Sequence, residues 1–173
     1  MKRNVWIAVG CLSVTAICAA ALTVQAKTSD EAAIKALEAR LVAAATARDV
    51  DKIMQCYDPG EALFVFDVIP PREYVGASAY RKDWEGFLGG FKGPIKIELT
   101  DLDVVTDGKL AFGHNVQHMI ATDKDGKTVD IVFRFTDGYR KVHGKWLIAQ
   151  EHVSVPVDLS TGKPDFQSKP GTP

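Results

Sequence analysis

The chain has 173 residues with 21 Lys and Arg against 22 Asp and Glu, a formal net charge of -1 that denies it the basic footprint of a nucleic-acid binder. Its hydrophobic share of 46 % is enough for one domain with a sizeable core and marks neither a disordered nor a fibrous chain. Three cysteines, Cys11, Cys18 and Cys56, are too few for a disulfide framework.

The first residues read as an export signal. Lys2 and Arg3 form its charged segment, Val5 to about Val24 its apolar run, and Val24-Gln25-Ala26 a small-residue cleavage site. A retained membrane anchor is the competing reading, but Gly10, Ser13, Thr15 and Thr23 dilute the run. Residues 1–26 are thus expected to be removed, giving a periplasmic or secreted protein that has no membrane attachment afterwards. Removal takes Cys11 and Cys18 away, leaves Cys56 without an internal partner, and moves the net charge from -1 to about -3.

Thr28 and Glu31 stand at capping-box spacing, and Ile34, Leu37, Leu41 and Ala44 then share one stripe, which predicts an amphipathic helix to about Arg48. Asp49 can cap a second helix from Val50 to Tyr57, which Asp58-Pro59-Gly60 ends. A short strand is expected over Ala62 to Val68, stopped by Pro70-Pro71, and a third helix over Ser78 to Leu88, closed by Gly89-Gly90. The period then changes to two, with strands near Ile95 to Val105, Leu110 to Thr122, Thr128 to Thr136 and Lys145 to Val155. Asp107-Gly108, Asp125-Gly126 and Gly144 mark hairpin turns, so consecutive strands are expected to be antiparallel neighbours. From Asp158 to Pro173 the composition predicts a flexible tail.

Helices first and a long meander afterwards predict an α+β domain over residues 27–157, with N-terminal helices packed on a curved, mainly antiparallel sheet. The order of elements, the Ala47-Arg48-Asp49-Val50-Asp51 helix end, Tyr57, the strand ending in Asp67, and the stretch from Gly144-Lys145-Trp146 to His152-Val153-Ser154 resemble the NTF2-like superfamily. The nearest resemblance is to its SnoaL-like and ketosteroid-isomerase-like branch. It implies a cone whose mouth admits a small molecule, on a scaffold that also serves as an enzyme or as a dimeric assembly module.

Strand alternation sorts the candidate residues by face. Val129, Ile131, Phe133 and Phe135 form an apolar face that the helices should cover. On the last strand, alternation puts Trp146, Ile148, Gln150, His152 and Ser154 on one side and Leu147, Ala149, Glu151 and Val153 on the other, and periodicity alone does not say which is inside. By the resemblance, Gln117, Glu151 and Val153 face the pocket. The expected lining is then Tyr57, Trp84, Asn115, Gln117, Met119, Phe133 and Phe135. The opposite face would carry His118, Arg134, His152 and Ser154 as a polar network or a homodimer interface.

Asp67 is the first catalytic candidate, matching by position the general-base aspartate of ketosteroid isomerases, with capping of the turn before Pro70-Pro71 as its structural alternative. Glu151 is the second, because a carboxylate on a core face is costly unless it is paired or used; a strand-end glutamate reaching solvent is the alternative. The isomerase's oxyanion donors have no counterpart, since Leu41 and Ile131 occupy their places, so steroid isomerisation by that route is not expected. No metal is expected either, because His114 and His118, four apart on a strand, lie about 13 Å from each other. Ser154 and His152, two apart on one strand, cannot form a nucleophile and base pair. No cofactor motif is present, and the expected partners are a small apolar or amphipathic molecule and a second copy of the chain.

Overall fold

The computed structural model describes residues 11–170, with side chains from Ser29. The first ten residues, and the side chains of the expected signal up to Ala26, lie outside the described set. Among the described residues no helix is long and apolar enough to cross a membrane.

Helix α1 runs Cys11–Thr46 without a break at Thr28, where the capping pattern predicts a start. No Gly or Pro interrupts those residues, so nothing in the backbone forces a stop at the cap-like sequence. Asp30, two residues past the expected cap, ties the helix to the sheet. Its Oδ1 accepts from Lys141 Nζ at 2.6 Å and from Trp146 Nε1 at 2.9 Å. After α1 the chain turns at Arg48 with φ of 59°, and the Arg48 guanidinium donates to Phe91 O at 2.7 Å and to Leu88 O. Asp49 caps α2 (Val50–Met54) as predicted, its side chain accepting from Lys52 N.

Strand β1 is short (Phe64–Phe66) and pairs with β2 (Tyr74–Val75), a strand the sequence did not reveal. Helix α3 covers Ala77–Gly89. The meander follows as β3 (Phe91–Thr106), β4 (Leu110–Asp123), β5 (Thr128–Val142) and β6 (Lys145–Ser154), turning at the predicted glycines. The six-stranded sheet has the order β2-β1-β6-β5-β4-β3, antiparallel throughout except where β1 runs parallel to β6. Register shifts in β3 between Lys92 and Lys96 and between Thr100 and Asp103 bend the sheet around the helices, and it does not close into a barrel. Ile34, Leu37 and Leu41 of α1 are buried against it, with Ile53, Tyr57, Leu63, Val65 and Ile148.

The faces of β6 are settled by a bulge. Tyr139 pairs with Ile148 but Gly138 pairs with Gln150, so Ala149 is the extra residue and the inside set changes parity there. Trp146 and Ile148 are buried before the bulge, Glu151 and Val153 after it. Leu147 and Ala149, grouped with Glu151 by simple alternation, are therefore not its neighbours on the core face. The cause lies in the pairing: Ile148 exchanges backbone bonds with Cys56 and Asp58, whereas residues 150–152 align with β1.

The tail also departs from expectation. Strands β7 (Val157–Asp158) and β8 (Lys163–Pro164) form a small hairpin. Phe166 O then accepts from Val132 N at 2.9 Å, and Gln167 Nε2 donates to Asp130 O at 2.7 Å. The chain thus returns to the part of β5 that extends beyond its pairing with β6, which supplies the donors and acceptors a free tail would lack.

Candidate functional site

A cleft opens between α3, the segment after β1, and the inner face of the sheet. Its free volume of about 70 Å³ exceeds by several fold the ~10–15 Å³ that one water needs. The wall is mostly apolar. Trp84 and Phe87 come from α3, Ile97 from β3, Met119 from β4, Phe133 and Phe135 from β5, Val153 from β6, and Val68 and Ile69 from the segment after β1. On α3, the edge-to-face contacts of Tyr80 with Trp84 at 6.0 Å and of Trp84 with Phe87 at 5.9 Å make a continuous aromatic wall.

Polar atoms enter this wall at few places. Asp67 follows β1 directly, where the strand ends and the chain turns, and its Oδ1 accepts from Val68 N at 2.5 Å. Burial first, and then the charge of Asp83, push its carboxyl up to about 6, against the small opposing effect of the backbone N–H groups of Val68 and Ile69. Asp83, one turn along α3 from Tyr80, accepts from Tyr74 Oη at 2.7 Å, and burial raises its carboxyl too. Gln117 forms the third polar point, on β4 and only 8 % exposed.

Behind the cleft lies a buried acidic layer. Glu151, 1 % exposed, accepts from Tyr57 Oη at 2.8 Å and from Tyr80 Oη. Burial lifts its carboxyl to about 8 even though both tyrosines pull the other way. Glu38 of α1 accepts from Tyr139 Oη at 2.9 Å, and burial lifts it to about 7. Asp137, pushed well up by burial and by Glu151, completes the layer. It accepts from Asn115 Nδ2 at 3.3 Å, while Asn115 Oδ1 accepts from Gln117 Nε2 at 3.1 Å. A hydrogen-bonded chain therefore runs from Gln117 in the cleft through Asn115, Asp137 and Tyr139 to Glu38 under α1.

The predicted site residues are thus divided. Asp67, Trp84, Gln117, Met119, Phe133 and Phe135 line the cleft. Tyr57 and Asn115, expected in the lining, lie in the core beneath it, because the hydroxyl of one is spent on Glu151 and the amide of the other on Asp137. Glu151 faces inward, but it bonds neither Asp67 nor Gln117 and reaches the cleft only through Tyr80. Glu38, Asp83, Asp137 and Tyr139 were not singled out from the sequence. Glu38 carried a signal, since it falls on the same α1 face as Ile34 and Leu41.

On the outer face the expected network has different members. His118 Nε2 lies 2.7 Å from Asp130 Oδ1, and Gln167 Nε2 donates to the same carboxylate at 2.9 Å. Arg134 and His152 are exposed and Ser154 is half-buried. His152 packs against Phe66 at 5.6 Å, and no hydrogen bond joins it to Ser154 or Arg134 to Thr136. Among the described residues no group of His, Cys, Asp and Glu could hold a metal ion.

Residues 34–158 match the family model of the SnoaL-like domain. The chain belongs to the SnoaL-like domain family. An NTF2-like protein of unknown function from Pseudomonas putida KT2440 is 34 % identical, over 83 % of this chain and 98 % of that one, with a TM-score of 0.74. An NTF2-like superfamily protein from Salmonella enterica serovar Typhimurium LT2 is 18 % identical, over 82 % and 98 %, with a TM-score of 0.66. A ketosteroid isomerase-like protein from Erwinia carotovora atroseptica is 17 % identical, over 72 % and 94 %, with a TM-score of 0.62. The last two show the fold alone. No match was found among the curated proteins. This SnoaL-like domain has the NTF2-like architecture, helices on a curved and mostly antiparallel sheet, that the order of its elements implied.

Proposed function

We propose that this SnoaL-like domain binds a small, largely apolar molecule in the cleft and that Asp67 is the group that exchanges a proton with it. One observation carries the reading: the Asp67 carboxyl, which has no side-chain partner among the described residues and which burial pushes up to about 6, stands in the wall of a mostly apolar cleft. Such a group is ionised at neutral pH yet close enough to its transition to accept a proton from a carbon or oxygen acid. An assembly module with no working pocket would have its aromatic side chains filling this space, and the open cleft between Trp84, Phe133 and Phe135 favours the binding reading. Export as a secreted or periplasmic protein remains part of the proposal, on the Lys2-Arg3 and Val24-Gln25-Ala26 pattern.

The test is a thermal-shift and native mass-spectrometry screen of the purified protein, followed by Asp67→Asn on any ligand that turns over. Turnover should vanish while the ligand still binds. A screen with no bound or stabilising molecule would remove the binding reading, and unchanged turnover would remove Asp67 from the chemistry.

We also propose a homodimer formed through the outer face, where Phe112 is 59 % and Leu110 is 61 % exposed. Light scattering should give twice the monomer mass, and Phe112→Lys should return it to one.

A further inference from the structure

The polar atoms that Asp67, Asp83 and Gln117 turn to the cleft are acceptors. Among the described residues, none that lines it is Lys, Arg or His. Asp67 has no side-chain partner, and Asp83 Oδ2 has no partner, among the described residues. Tyr80 points its only proton at Glu151.

Gln117 adds an independent observation. Asn115 Nδ2 donates to Asp137 Oδ2, and Gln117 Nε2 donates to Asn115 Oδ1, so the Gln117 N–H is turned away from the cleft. Gln117 Oε1 is left without a partner among the described residues, on a side chain more than nine-tenths buried that lines the cleft. An accessible carbonyl oxygen in the cleft wall accepts from a donor on the ligand. The indole N–H of Trp84 is enclosed in the wall, out of reach of a water-sized group, and so does not alter the balance.

Resting on the small-molecule reading above, we infer that the cleft takes a protonated amine on an apolar, ring-sized body, with the ammonium against Asp67 and Asp83. A carboxylate or phosphate ligand would meet like charge in a desolvated wall. A neutral ligand would leave the repulsion between Asp67 and Asp83 uncompensated. A cation relieves it, and the aromatic wall of Trp84, Phe87, Phe133 and Phe135 suits both the ring and the charge.

The test compares three probes of nearly equal shape, 2-phenylethylamine, 2-phenylethanol and phenylacetate, by calorimetry at pH 7.5 on the full chain. The amine should bind at least about tenfold more tightly than the alcohol, and phenylacetate should not bind detectably. Asp83→Asn and Asp67→Asn, both isosteric and checked for folding by thermal melt, should each lower amine affinity about tenfold and alcohol affinity by less than about threefold. Alcohol binding as tight as the amine, or binding of phenylacetate, would overturn the amine class and leave the small-molecule reading intact. No binding by any of the three in protein that melts normally would count against both. Amine binding that the two Asn variants do not weaken would overturn the assignment to this cleft.

Discussion

Asp137 and Glu151 are register partners across the β5–β6 ladder, and each is only 1 % exposed. With Glu38 they form a layer of three buried carboxyls whose hydrogen-bond partners are tyrosines and an asparagine. Like charges this close, in a medium that solvates them poorly, hold one another's protons on.

The layer sets a pH dependence of stability with a definite sign. Folding raises Glu151 from 4.5 to about 8 and Glu38 from 4.5 to about 7. The folded state therefore keeps protons that the unfolded chain gives up. Its stability is fully present below pH 4.5 as far as these groups decide it, and is lost as pH rises to about 8. The melting temperature at pH 5 should exceed that at pH 8.5 by on the order of 5 °C. Glu151→Gln, which keeps the shape and removes the ionisation, should flatten the slope; an unchanged slope would show that Glu151 does not titrate in this window.

Tyr80→Phe should cost about 1–3 kcal/mol, because the ring packing survives while Glu151 loses one of its two donors. The loss should be larger at pH 8.5 than at pH 5, since the charged carboxylate depends more on its donors. Denaturant titrations at the two pH values would show it, and an equal loss at both would mean that Glu151 stays neutral throughout.

The sequence made the order of elements readable because each is bounded by a cap or a turn, as at Asp49, Gly108, Gly126 and Gly144. It hid the acidic layer for two reasons. The strand was expected to end at Thr136, whereas β5 continues to Val142 with Gly138 at the bulge opposite Gln150, which brings Asp137 into the sheet. Period two fails at any bulge, so the pattern of β6 grouped Glu151 with Leu147 when its true neighbours on the core face are Ile148 and Val153. The cleft was half legible. Its apolar side chains follow strand alternation, while Asp83 on an otherwise ordinary helix gives no local sign that Asp67 stands opposite it.

Asp67 and Asp83 should be coupled in titration. The charge of Asp83 is one of the two causes that raise Asp67 to about 6. Any proton-accepting role of Asp67 should therefore switch on as pH rises through about 6, and Asp83→Asn should move that midpoint downward. A carboxyl carbon titration by NMR measures the shift directly. A midpoint that rises or stays put in Asp83→Asn would mean that the two carboxyls do not sense each other.

Two glycines should answer the same substitution with opposite signs. A Cβ at Gly113 would lie 2.8 Å from Asp103 O and 3.3 Å from the Tyr139 ring, next to the register shift of β3 between Thr100 and Asp103. Gly113→Ala should cost about 1–3 kcal/mol. A Cβ at Gly86, on the exposed side of α3, meets nothing within 4 Å, so Gly86→Ala should add about 0.5–1 kcal/mol. Paired melts would check both.

Removal of the chain after Val155 should expose one specific amide. In the intact protein Phe166 O accepts from Val132 N, on the part of β5 that no longer has β6 beside it. Without the tail this N–H faces solvent at a sheet edge, so its hydrogen exchange should speed up by at least about tenfold. The Phe133 amide should keep its rate, because its strand partner Gln117 on β4 remains in place. Acceleration confined to Val132 would show that the tail seals an edge without holding the cleft together, whereas acceleration that spread to the cleft strands would make it part of the core.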